Sequence, residues 1–496
     1  MASKQEPLGR EVRIVAAVVV LGAVMSILDT TIVNVALDTL SRELHAPLDT
    51  IQWVSTGYLL SLAMVIPLSG WCSERFGTKR VWMTSVAVFG LGSVLCGLAW
   101  SADSLIAFRV LQGFGGGMIM PVGMSILAQT AGPSRLGRVM ALIGFPMLLG
   151  PILGPVLGGL IVDNTSWRWI FYVNVPIVAL ALVLAGRLLQ SDQGRADAGR
   201  LDLVGVALLS PGLAGIVFGL SEVESHGGIG APIAFGPILA GILLVAAFAR
   251  HAWRAQRPLV DVRLFRFGSF SAASASVFLI GGALFGTMLV LPLYYQVARG
   301  QSALTAGLLM APQGLGAACA MPFAGRLTDR VGGGLVAVTG LTIMTLGTLP
   351  LAFVGADTSY GLLGATLVVR GVGLGCAMMP TLAAAYACLE RAAVPRATAA
   401  LNALQRVGGS VGTALLAVVL QHEIRIALGG GSGASTLQPI PPAVRAHVAT
   451  PLASAFANTF WWSIAMSLVA IVPAALLARS ERARRHAAHA VAVPAA

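Results

Sequence analysis

The sequence predicts an all-α integral membrane protein of fourteen crossing helices, built as two six-helix halves with two further helices inserted between them. Three observations predict it. Composition comes first: 56% of the 496 residues are hydrophobic and only 10% are charged, whereas soluble domains carry about a quarter charged residues. Second, apolar stretches of spanning length, about 20 residues each, recur along the whole chain. The third is an internal repeat. Pro67-Leu68-Ser69-Gly70-Trp71-Cys72-Ser73-Glu74-Arg75-Phe76-Gly77 closes the second stretch, and Pro322-Phe323-Ala324-Gly325-Arg326-Leu327-Thr328-Asp329-Arg330-Val331-Gly332 closes the tenth. Pro, Gly, acid, Arg and Gly recur at identical offsets, as two parallel halves would place them.

By hydropathy the spans cover residues 12–37, 51–72, 81–100, 104–128, 138–161, 169–189, 202–221, 232–250, 270–296, 303–325, 335–354, 360–382, 397–420 and 455–478. The first half is residues 1–200, the inserted pair 201–252 and the second half 253–496. Orientation follows from the basic residues. Of the 32 Lys and Arg, three (Arg109, Arg370, Arg406) fall within spans and five (Arg42, Arg168, Arg299, Arg425, Arg445) in loops on one side. The other 24 lie on the opposite side, richest over Arg250 to Arg266. Both termini are therefore expected in the cytoplasm. The short charged start, Met1 to Arg13, precedes no small-residue cleavage site, so the first span is expected to be retained.

A net charge of +12 raises the question of nucleic acid, but the Arg residues are scattered singly and in short loops, as membrane orientation requires. Five cysteines stand in no paired or metal-ligand spacing, which argues against a disulfide framework or a zinc site. The preference for Arg over Lys is associated with GC-rich bacterial genomes. One loop, Gln421 to Ser454, carries Gly429-Gly430-Gly431-Ser432-Gly433 and Pro439 to Pro442 and is expected to be flexible or extended.

Within the first span lies Leu28-Asp29-Thr30-Thr31-Ile32-Val33-Asn34. A carboxylate near the centre of a membrane helix costs about 2.5–3.5 kcal/mol. Asp29 is the only Asp or Glu well inside an apolar segment. Two readings stand: an acid tied to a neighbouring polar group for packing, or a protonation site on a transport path.

After the second span, Gly70, Glu74, Arg75, Gly77, Lys79 and Arg80 form a compact charged loop, matched in the second half by Asp329 and Arg330. It reads as an ordinary basic loop or as a charged latch between the halves. In the fourth span Arg109, Gln112, Gly113 and Gly116 share one helix face. That face is either a polar stripe turned to the bundle interior or an Arg reaching to the surface. Asp29 lies about 12 Å and Arg109 about 9 Å along their helices from the same side, so the two could meet. The fifth span carries Gly150, Pro151, Gly154, Pro155, Gly158 and Gly159, a bent and closely packed helix.

In the second half Asn402, Gln405, Arg406, Gly409 and Thr413 fall on one face, and Arg370 and Gln313 lie within spans. With Asn34 and Gln112 they are expected on the wall of a central cavity. Phe285, Met288 and Met310 offer an adaptable apolar surface, or are core or lipid-facing as such residues commonly are. Tyr294 and Tyr295 close the ninth span and read as interfacial anchors. The two inserted spans carry no motif.

Four of these stretches together resemble the major facilitator superfamily, in particular its fourteen-helix drug:proton antiporter family, over nearly the full chain. They are Leu28 to Leu37, Gly70 to Arg80, Arg109 to Gly117, and Gly144 with Gly150 to Gly159. Trp167 to Phe171 and Asn174-Val175-Pro176 are similar to the drug exporters as well. The resemblance implies the major facilitator fold, a proton-coupling role for Asp29 and an antiporter signature in the fifth span. The loop departs from the family pattern, with Glu74 where Asp is usual and Thr78 where a basic residue is usual.

The expected function is export of drug-like or amphiphilic organic compounds in exchange for protons, with Asp29 and Arg109 as the coupling pair. The alternative is dedicated export of one metabolite, antibiotic or lipid-like compound. An importer is opposed by the fifth-span signature. An enzyme is opposed by the lack of an HExxH, a P-loop or a nucleophile–base set. No cofactor or metal is expected, the proton gradient being the energy source. The partners expected are a small organic substrate, protons and lipid, with no nucleic acid and a monomer as working unit. The expected location is the bacterial cytoplasmic membrane.

Overall fold

The computed structural model describes residues 9–131, 135–192, 194, 199–225, 230–387, 389, 390, 392–428 and 442–492. They form α1 (Arg10–Glu43), α2 (Leu48–Val65), α3 (Leu68–Phe76), α4 (Thr78–Gly97), α5 (Ala102–Ala131), α6 (Leu136–Asn164), α7 (Trp169–Tyr172) and α8 (Asn174–Leu188). There follow α9 (Leu203–Ser225), α10 (Pro232–Arg254), α11 (Gly268–Leu293), α12 (Ala303–Val331), α13 (Gly333–Thr348), α14 (Tyr360–Ala387), α15 (Val394–Ala427) and α16 (Pro442–Ala492). No strand occurs among the described residues.

Among those residues twelve helices are long and apolar enough to cross a membrane, or thirteen with α2 and α3 taken as one broken span. That pair falls on the predicted span 51–72 and bends by 56°. Pro67 sits at the break, where it supplies no N–H and crowds the preceding turn. The predicted span 138–161 falls on α6, whose side chains at 142–153 and 155 lie outside the described residues, so it is not in that count.

The helices pair on a plan that occurs twice. In the first group α1 packs on α6 and α8, α2 on α5, and α4 on α5 and α8. In the second, α11 packs on α15 and α16, α12 on α14, and α13 on α14 and α16. The repeated loop closes both second members in the same way. Gly77 ends α3 with φ +87° and Gly332 ends α12 with φ +102°. Residues with a Cβ rarely adopt that backbone, which is why Gly recurs there.

Between the groups, α6 meets α12 and α14, while α3 and α5 meet α15. The inserted helices are not merely appended. α10 packs on α9, and α9 packs on both α2 and α15. Trp53 of α2 stacks on Phe218 of α9 with ring centroids 5.6 Å apart. Val223 of α9, Ala234 of α10 and Ala414 of α15 share one small core.

Two further expectations change. Helix continues to Ala427 and resumes at Pro442, so the predicted flexible loop 421–454 is shorter, and most of its Gly and Pro residues lie outside the described set. Tyr294 and Tyr295 are not interfacial anchors. Both are fully buried in a π-helical turn, Tyr294–Ala298, where the Tyr294 hydroxyl donates to the Gly355 carbonyl at 2.8 Å.

Candidate functional site

Asp29 is 0% exposed in the middle of α1. Among the described residues its carboxylate is met only by donors. Arg109 Nη1 of α5 lies 2.6 Å from Oδ2. On Oδ1 the amides of Gln112 and Asn174 each donate at 2.9 Å. Arg109 is itself held from three sides: Nε donates to the Val54 carbonyl at 3.1 Å, Nη1 also to Gln112 Oε1 at 2.8 Å, and the Tyr58 ring lies 4.0 Å beneath the guanidinium. Asn174 donates in addition to Ser93 Oγ at 3.0 Å, and Ser93 to the Phe171 carbonyl at 2.9 Å. Two opposite charges are thus taken out of water together, each supplied with further hydrogen bonds, the condition under which a buried ion pair is tolerated.

Sequence spacing put Asp29 and Arg109 at one level; the structure adds Gln112, Asn174 and Tyr58 around them. Asn174 is a lone polar side chain in an apolar run, which was the available signal, whereas Tyr58 sits among Ser55, Thr56 and Ser61 and gave none. Gln112, expected on the cavity wall, is fully buried between Asp29 and Arg109 because its amide can donate to one and accept from the other. Gln313 is corrected likewise. It is buried, and its Oε1 accepts from Arg370 Nη1. Arg370 is buried with it rather than on a cavity wall. Nε donates to Thr348 Oγ1 at 3.2 Å and Nη2 to the Ala283 carbonyl at 3.4 Å. With no acid on these contacts, the guanidinium is satisfied by neutral acceptors.

The other predicted cavity residues scatter. Asn34 is exposed on α1 and accepts from Ser55 Oγ at 2.9 Å. Phe285 is 38% exposed, and its ring covers Gly409. Met288 and Met310 are half-buried against separate cores. Asn402, Gln405 and Arg406 are half-buried along α15. Asn402 Nδ2 donates to the Thr398 carbonyl at 2.9 Å and lies 3.9 Å from Met124 Sδ of α5, while Gln405 Nε2 lies 3.9 Å from Met378 Sδ.

The repeated loops carry ion pairs between the two groups at the basic end. Glu74 Oε2 pairs with Arg396 Nη2 of α15 at 2.8 Å. A Cβ on Gly70 would come 3.0 Å from Arg396 Cα, so Gly there lets α15 approach. Asp329 binds through both oxygens, to Arg138 Nε at 2.8 Å and to the Gly137 N–H at 2.9 Å. Arg75, Arg80 and Arg330 are exposed at this end, and Glu74 and Asp329 form cross-group pairs. Arg138 and Arg396 were hidden in the sequence among the many basic loop residues. Asp192 caps α4, accepting from the N–H of Thr78 at 2.6 Å and of Lys79 at 3.1 Å. Beside this seam lies a cavity of about 540 Å³ lined by Glu11, Glu74, Lys79, Gln129, Asp192 and Pro395 among others.

The Gly-rich fifth span packs on the helix that carries Asp29. A Cβ on Gly154 would fall 1.9 Å from Thr31 Oγ1, and one on Gly158 3.1 Å from the Ile32 carbonyl. Gly159 faces open space. Gly150, Pro151 and Pro155 lie within α6, but their side chains lie outside the described residues. Among the described residues no three His, Cys, Asp or Glu gather to hold a metal ion.

Residues 19–413 match the profile of the Major Facilitator Superfamily. The chain is 40% identical over 492 residues to the Multidrug resistance protein B homolog of Mycobacterium tuberculosis, covering 95% of this chain and 91% of that protein. It is 30% identical over 399 residues to the Multidrug export protein EmrB of Haemophilus influenzae, covering 80% and 78%. The crystal structure of the human organic anion transporter MFSD10 superposes with a TM-score of 0.64 at 16% identity, covering 95% of this chain and all of that one, which shows a shared fold. A family profile matched over most of the length, and a relative this similar from end to end, establish that the chain belongs to the major facilitator superfamily.

Proposed function

We propose that the chain is a proton-coupled antiporter that exports drug-like or amphiphilic organic compounds across the bacterial cytoplasmic membrane. In this reading fourteen helices cross, α6 included, both termini are cytoplasmic, and residues 1–200 and 253–496 rock about a central site as a monomer. The relatives named for multidrug resistance and multidrug export support the substrate class. The observation that carries the coupling is the Asp29 carboxylate, fully buried and accepting three hydrogen bonds.

A proton arriving at Asp29 removes the negative charge that holds those three donors and leaves at most one lone-pair site to spare for its own O–H. The neutral acid no longer compensates the Arg109 charge, and an O–H pointed at Arg109, Gln112 or Asn174 meets another donor. The protonated and deprotonated states therefore need different side-chain arrangements across α1, α5 and α8. Glu74–Arg396 and Asp329–Arg138 close the cytoplasmic end in one of them. Opening that end admits substrate, and reclosing it commits the substrate to the outside.

The test is growth of an efflux-deficient host against a compound panel, with and without the protein, followed by proton release from liposomes on substrate addition. Protection against several unrelated compounds with matched proton movement is expected. Protection against one compound alone points to a dedicated exporter, and substrate movement indifferent to an imposed pH gradient refutes proton coupling.

A further inference from the structure

Three guanidinium groups lie within the helix bundle, and their situations differ. Arg109 is paired with Asp29, and Arg370 is shared among Gln313, Thr348 and the Ala283 carbonyl. Arg406 is half-buried, and among the described residues it has no hydrogen-bond or ion-pair partner. It lies about 18 Å along α15 from Val394, near the centre of a layer about 30 Å thick.

Its direction is fixed by its neighbours. One turn earlier Asn402 reaches Met124 of α5, so this edge of α15 faces the first helix group. The opposite edge, at Gly408 and Gly412, is closed against Phe278 and Gly282 of α11. Among the described residues, Tyr58 of α2 is the ionisable side chain whose electrostatics reach Arg406. Tyr58 is buried beneath Arg109 and its hydroxyl makes no hydrogen bond, so it offers no countercharge. Across the seam between the two groups, Arg406 thus presents five unused N–H donors and an uncompensated charge. A cation is costly there unless something anionic joins it.

We propose that Arg406 is the docking group for a carboxylate or comparable anionic group on the exported compound. This deepens the export reading and rests on it. The apolar body of the compound lies in the seam while its anionic head pairs with Arg406, which selects acids over their neutral or cationic esters. Arg points a planar fork of donors, so a carboxylate can be held by two parallel bonds, which Lys cannot reproduce.

The probes are rhodamine 110, which carries a free carboxylate, and its methyl ester rhodamine 123, on the purified full chain in nanodiscs. Fluorescence anisotropy is expected to show tighter binding of the free acid by wild type. Arg406→Gln should weaken the acid at least about tenfold, in keeping with loss of a charge-assisted bond, and leave the ester nearly unchanged. Arg406→Lys should recover part of the loss. An acid-to-ester affinity ratio that is the same in wild type and Arg406→Gln overturns the proposal, as does a wild type that shows no preference for the acid. Proton-driven efflux of either dye from liposomes is measured separately. Its failure sinks the export reading while the binding ratio still decides the role of Arg406.

Discussion

Replacing Asp29 with Asn tests the buried pair and the coupling together. From sequence alone the substitution keeps the shape and hydrogen-bonding capacity of a permanently protonated acid, and normal stability follows. The geometry changes that expectation. All three groups on the carboxylate are donors. In Asp29→Asn, an amide oxygen turned toward Arg109 leaves the new NH2 pointing at Gln112 and Asn174, and the other rotamer points it at Arg109. Either way a donor faces a donor, and the Arg109 charge loses its compensation. Removing one partner of a buried ion pair costs about 3–5 kcal/mol. Asp29→Asn is therefore expected to lower the thermal midpoint in detergent clearly. Asp29→Asn with Arg109→Gln, which removes both charges, should recover much of the loss. Neither variant should move protons on substrate addition in liposomes. If Asp29→Asn keeps wild-type coupled proton flux, the acid is structural and the reasoning fails. If the double variant is no more stable than the single, the pair is not the source of the cost.

Glu74→Gln removes the charge from the Arg396 bridge, worth about 1.5–3 kcal/mol for a charge-assisted bond, so opening of the basic end should rise about tenfold or more. Thiol labelling of a Cys placed at Gln129, inside the neighbouring cavity, reports it, and an unchanged labelling rate counts against the latch. Gly154→Val pushes side chain into Thr31 and should cost about 1–3 kcal/mol as overpacking. Gly159→Ala, which meets nothing, is the neutral comparison, and equal thermal midpoints would refute the contact. Arg370→Gln removes a charge that only neutral groups hold, so it should destabilise less than Arg109→Gln, which strands the Asp29 carboxylate; the reverse order in thermal unfolding would overturn this. A reporter fused after Ala231 should face the opposite side from one after Arg263. The same side for both would break the count of fourteen.

The crossings were legible because lipid demands long apolar helices, and the repeat was legible because Gly77 and Gly332 both need a left-handed backbone. Asp29 stood out as an acid where acids are expensive. What the sequence hid was partnership. An Arg on a helix face reads the same whether it ends on an acid, as Arg109 does, or on an amide, as Arg370 does. Gln112 and Gln313 looked like cavity polar groups because periodicity gives a face but not the distance to the next helix. Arg138 and Arg396 could not be picked from the basic loops, since charge bias orients a chain without saying which cation meets which acid. The bend at Pro67 was visible as a residue but not as an angle.

In the proposed cycle a proton at one level moves a gate at another, and the contacts bear on how. At the start of α6, Gly137 and Arg138 hold Asp329 of the second group. About 24 Å further along the same continuous helix, Gly154 closes on Thr31, two residues from Asp29. The Gly at 154 leaves no side chain to cushion the contact, so a shift of α1 is passed to α6 as displacement rather than absorbed. At the other end Gly137 and Gly325 stand backbone to backbone, a Cβ on Gly325 falling 2.8 Å from the Gly137 carbonyl. Tight contacts at both ends of one helix favour two discrete arrangements over a continuum, since packed interfaces deform poorly. The Gly-rich span thus runs from the Asp329–Arg138 pair to the neighbourhood of Asp29, which gives it a mechanical reason to stay tightly packed.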